Sequence, residues 1–136
     1  MAIRSGSRTS LQGMIKLQGL TKARHEMELS RLTAQSQAID EENAALFRMQ
    51  DDRFESGAGI VPADLIMKRL ETNKAKQAHL SGQMVSEKRN LLMVSRTLDI
   101  LRDRLRQLEQ DMERIAAAEE IEEYVIHTIA GGSSLP

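Results

Sequence analysis

The sequence predicts an all-α fold, a two-helix antiparallel coiled-coil hairpin whose second helix is the longer, on three observations. With two Phe, one Tyr and no Trp among 136 residues, the large side chains that fill a globular interior are nearly missing. Apolar residues recur at alternating spacings of four and three along most of the chain, the repeat of a narrow stripe that a helix buries against another helix. One central break containing Gly57, Gly59 and Pro62 divides the pattern in two, and a short connection between two long helices makes them antiparallel neighbours.

The second half carries the stronger repeat. Ile66, Leu70, Asn73, Gln77, Leu80, Met84, Glu87, Leu91, Val94, Leu98, Leu101, Leu105, Leu108, Met112 and Ile115 follow the spacing without a break. Twelve of these fifteen are apolar, so the predicted helix over residues 62–130 has one face that must be covered. The first half repeats the spacing with Leu11, Ile15, Gln18, Lys22, His25, Leu29, Leu32, Ser36, Ile39, Asn43, Leu46 and Gln50, of which six are apolar. It predicts a helix over 10–54, in which Lys22 lays its aliphatic stem on the seam and sends its ammonium to water. Residues 55–61 form the loop, where Gly57 or Gly59 can take the left-handed conformation that ends a helix and Pro62 suits the next first turn. Residues 1–9 are expected to be a flexible basic arm and 131–136 a flexible tail.

Antiparallel pairing requires the numbers of facing seam residues to add to a constant. One register meets this in every layer, pairing Leu46 with Leu70, Asn43 with Asn73, Leu32 with Met84, Ile15 with Leu101 and Leu11 with Leu105. The Asn43 and Asn73 layer has two readings. Facing amides satisfy one another and lock the register, since either one opposite Leu is left unpaired; alternatively both lie at the wet edge of the seam and specify nothing.

At 1.5 Å per residue the two helices span roughly 65 Å and 100 Å, so the second overshoots the first. Past Ile115 the strict seam ends, and a new stripe of Ala118, Ile121, Val125 and Ile129 appears, with Tyr124 and Ile126 beside it. A change of stripe implies a change of partner. Met112, Ile115, Ile121, Tyr124, Val125 and Ile129 are therefore one predicted partner-binding surface. A second is a belt outside the seam: Leu17, Leu20 and Met27 on the first helix, Leu92, Met93 and Ile100 on the second. Clustered apolar residues on both helices read as a docking surface, and the alternatives are scattered surface hydrophobes or a self-association face.

Charge is unevenly placed behind a net value of -1. Residues 1–25 hold Arg4, Arg8, Lys16, Lys22 and Arg24 and no acid, whereas Glu109, Asp111, Glu113, Glu119, Glu120, Glu122 and Glu123 face only Arg114 in the stretch 109–123. Blocks of opposite sign support the pairing of the two chain ends, at about 0 to 1 kcal/mol per exposed pair.

No catalytic, cofactor or metal constellation accompanies these surfaces. His25, His79 and His127 are isolated, Gly57-Ala-Gly59 lacks the rest of a phosphate-binding loop, and Glu41-Glu42 and Glu119-Glu120 read as solvated helix faces. Interleaved charges and the scarcity of aromatics argue against a nucleic-acid partner. The absence of cysteine, of a long apolar run and of a signal-peptide pattern predicts a cytoplasmic protein without direct membrane insertion.

This layout, with the leucine-rich second helix Leu98-Asp-Ile-Leu-Arg-Asp-Arg-Leu-Arg-Gln-Leu108, resembles the FliJ family, the central-stalk proteins of the flagellar type III export apparatus and their virulence-system counterparts. The resemblance covers residues 10–130 and rests on length, topology and helix pattern. It implies a non-enzymatic stalk that inserts its terminal end into the ring of an export ATPase and docks sideways on the export gate, peripheral to that apparatus. The stretch Glu119 to Glu123 departs from the family's usual basic character. A reading from another class is a chaperone or structural coiled coil unconnected with export, present as a monomer or weak homodimer.

Overall fold

The computed structural model describes the backbone of residues 2–56 and 61–133 and the side chains of residues 6–52 and 61–131. Two helices, α1 (Ala2–Ser56) and α2 (Ala63–Ser133), make up its secondary structure. They pack against each other in opposite directions, α2 is the longer, and no strand occurs among the described residues. No helix is long and apolar enough to cross a membrane among those residues.

The packing divides into two units, Thr21–Val94 and the pair of segments Met1–Leu20 with Ser95–Pro136. In the first of these, Leu32, Ile66 and Leu80 are buried together with Asn73, and Leu98 and Leu101 are buried in the second. The repeat predicts this core in full. All twelve seam positions of α1 and all fifteen of α2 are buried or half-buried, because a 3.5-residue repeat keeps one stripe turned to the partner helix. Lys22 is half-buried as its position requires, with its ammonium 4.0 Å from Glu26 on the same helix.

The start of α2 is built from Pro62. Its carbonyl accepts from the amides of Leu65 at 3.1 Å and Ile66 at 3.3 Å, its ring sits just before the first helical residue, and Asp64 in the first turn favours the positive end of the helix dipole. Gly57 and Gly59, proposed above to end α1, lie outside the described residues.

The helix boundaries differ from expectation at both chain ends. α1 starts at Ala2, so the segment expected to be a flexible arm is helical, and α2 runs to Ser133, past the expected end at 130. Leu11 marks where the apolar seam begins and not where the helix begins. Nothing in residues 2–9 forces a stop, since Gly6 weakens a helix by only about 1 kcal/mol.

Candidate partner-binding surface

The unit formed by Met1–Leu20 and Ser95–Pro136 contains the overshoot. Met112 and Ile115 are half-buried. These two seam residues are therefore less open than Ile121, Tyr124, Val125 and Ile129, with which the sequence groups them. The Arg8 guanidinium, 3.4 Å from the Glu109 carboxylate, ties α1 to α2 there; the side chain of Arg4, expected opposite Met112, lies outside the described residues. From Ala116 to Gly131 every residue of α2 is exposed. Ile121 is 64%, Tyr124 71% and Ile129 66% exposed, and Val125 and Ile126 are exposed as well. The four-residue spacing of Ile121, Val125 and Ile129 aligns them on one face of the helix; Tyr124 widens that face on one side, with Glu120 one turn before it, and Glu122 borders the other side.

The predicted lateral belt divides between the units. Leu17, Leu20 and Ile100 are exposed in the unit with the chain ends, and Met27, Leu92 and Met93 are exposed in the unit Thr21–Val94. That second unit carries a further group that the seam reading passed over, the exposed Phe47, Met49, Leu65 and Met67. Their signal was present as apolar residues adjacent to seam positions.

Two polar layers interrupt the seam of Thr21–Val94. Asn73 is fully buried, and its amide nitrogen donates to Asn43 Oδ1 at 2.8 Å. Asn43 is half-buried. The expected mutual satisfaction is realised in one direction only, because Asn73 Oδ1 has no hydrogen-bond partner. Further along, His25 Nδ1 and Glu87 Oε2 lie 2.7 Å apart, both half-buried. Sequence spacing had set His25 opposite Leu91; the imidazole instead reaches along the seam to the carboxylate. Two polar residues in adjacent seam layers were the available signal.

The rims of the same unit are braced by polar contacts. The Arg69 guanidinium donates to the Glu42 carboxylate, with one of the bonds at 3.1 Å. This holds the Glu42 carboxyl below its ordinary range against the opposing push of burial, with smaller help from the Asn73 amide and the Lys76 charge, while the Arg69 guanidinium is shifted upward. Gln77 donates to Asp40 Oδ1 at 2.6 Å. Glu28, paired with Arg31 on the same helix, is likewise lowered by that hydrogen bond.

Beside the seam an open groove of about 330 Å³ is lined by Gln35, Ala38, Ile39, Lys76, His79 and Leu80. Its walls supply no converging polar groups to orient a substrate. No group of three or more His, Asp or Glu side chains is placed to hold a metal ion among the described residues.

An all-α hairpin that presents apolar surface on an unpaired helical extension is the class of protein these features define. No protein-family model, curated protein sequence or solved structure matches the chain at a significant level.

Proposed function

We propose that this chain is a non-enzymatic coiled-coil stalk or adaptor of a type III protein-export ATPase, linking the ATPase to the export gate as the resemblance to the FliJ family implies. The observation that carries the reading is the extension of α2 from Ala116 to Gly131, which displays Ile121, Tyr124, Val125 and Ile129 to solvent, uncovered by any of the described residues. Burying such a stripe on a partner is worth roughly 25 cal/mol per Å² of apolar surface.

A truncation after Ala117 tests the reading. Every described residue that it removes is exposed, so helicity and melting temperature of the remaining chain stay close to the parent's by circular dichroism. Co-elution of the full chain with the export ATPase, lost on truncation, is the expected result. A truncated chain that still captures the ATPase moves the site to Leu20 and Ile100 or to Met27, Leu92 and Met93. A full chain that captures neither ATPase nor gate turns the assignment to the second reading, a coiled-coil chaperone or structural adaptor in a cytoplasmic setting. That alternative is favoured by the exposed apolar groups in both units.

A further inference from the structure

The unit made of Met1–Leu20 and Ser95–Pro136 is uneven in charge. Its extension, Ala116–Gly131, carries Glu119, Glu120, Glu122 and Glu123 and no Lys or Arg. Its paired section, residues 6–20 and 95–115, carries Arg8, Lys16, Arg96, Arg102, Arg104, Arg106 and Arg114 against Asp99, Asp103, Glu109, Asp111 and Glu113, with Glu109 held by Arg8 and Asp111 by Arg114. Both parts display apolar side chains between their charges. The extension cannot fold back on its own paired section, because α2 is helical through both without interruption.

The receiving face can be located from the chain itself. Glu42 and Arg69 each stand one residue ahead of a seam position, Asn43 and Leu70, and they bond to each other across the two helices. Residues one ahead of the seam therefore share one side of the paired helices. In the chain-end unit those residues include Met14, Leu17, Ile100 and Arg104, all exposed, and Arg96 stands one helical turn before Ile100. The result is an apolar strip bordered by arginines.

We infer that the acidic extension of one copy docks on this strip of a second copy, and that the second copy returns the contact, forming an antiparallel two-fold dimer. Lengths agree: the extension of sixteen residues spans about 24 Å, and residues 6–20 span about 22 Å. Symmetry then places the axis where the paired section ends, so that each extension becomes the third helix beside its partner's pair. Area agrees too. Seven exposed side chains per contact, at on the order of 100 Å² each, give roughly 1,400 Å² over the two contacts, within the range of specific interfaces and out of reach of a single contact. Pairing of two extensions with each other would instead bring Glu120 and Glu122 of both copies together. The inference is independent of the export reading.

Sedimentation of the full chain tests the dimer. A dimer that weakens at least about tenfold between low and high salt is expected, because the bordering charges are exposed and screened. Two variants then decide the mode. Glu120→Lys with Glu122→Lys, and separately Arg96→Glu with Arg104→Glu, should each be monomeric alone, because each sets like charges face to face. Mixed together they should dimerise again, since both contacts of the mixed pair are of opposite charge. Circular dichroism establishes that each variant is helical; should one fail to fold, cross-linking of Val125→Cys with Leu17→Cys in an equimolar mixture replaces it, a mixed cross-link supporting the mode and its absence overturning it. A monomeric full chain, variants that dimerise as the parent does, or a mixture that stays monomeric overturns the inference.

Discussion

Asn73 Nδ2 donates to Asn43 Oδ1 at 2.8 Å, while the carbonyl oxygen of the fully buried Asn73 has no hydrogen-bond partner. The two amides are unequal: one is sealed in the seam and the other keeps contact with water. Asn43→Leu should therefore be the more damaging single change, by about 1 to 3 kcal/mol, because it strands the sealed amide. Asn73→Leu removes the orphaned oxygen with its amide and leaves Asn43 able to turn to solvent, so its cost should be smaller. The double change should recover the loss. Thermal melts of all four proteins measure the coupling, and strictly additive effects would mean that the two amides do not interact.

The pair His25 and Glu87 holds a polar bridge between layers that are otherwise occupied by Leu29 and Leu91. Replacing a partly buried ion or hydrogen-bond pair by well-packed apolar residues is often neutral or stabilising by about 1 to 4 kcal/mol, whereas removing one partner is costly. His25→Leu combined with Glu87→Leu should melt at or above the parent temperature, and Glu87→Leu alone should melt below the double variant. If the double variant is the least stable of the set, the bridge contributes more than apolar packing can replace.

Acid should weaken the contact between Glu42 and Arg69. Because the folded-state value of Glu42 lies below the ordinary carboxyl range, its contribution is present above that range and disappears as the pH falls through the lowered value. Arg69 is shifted upward and keeps its charge throughout. The melting temperature of the parent should thus drop more steeply than that of Glu42→Gln on acidification from neutral pH, with the two curves converging once Glu42 is protonated. Parallel curves would show that the pair adds nothing to stability, as many exposed ion pairs do.

Gly13, Gly19 and Gly82 lie within helices, and a Cβ at any of them meets nothing within 4 Å. Their freedom weakens the helix without serving a close approach inside the chain. Each change to Ala should stabilise by about 0.5 to 1 kcal/mol, read as a higher melting temperature. A variant that gains stability and loses a partner would place that partner's backbone against the glycine.

The repeat alone determined which residues form the core. A spacing of four and three is a property of the covalent chain, and any helix that carries it turns the same stripe inward, from Leu11 to Gln50 and from Ile66 to Ile115. Counting residues on either side of the central break likewise determined that α2 outruns α1, and so that Ile121, Val125 and Ile129 would find no cover. What only the tertiary structure decided depends on how far apart the helices stand and how their side chains turn. It brought α1 back to Ala2 and left Met112 and Ile115 half-buried. It also sank Asn73 while leaving Asn43 half-exposed, and it swung His25 along the seam to Glu87. Seam membership follows from periodicity, but the hydrogen bonds within a layer depend on distances of a few tenths of an ångström between two separate helices, and no pattern within one helix carries that information.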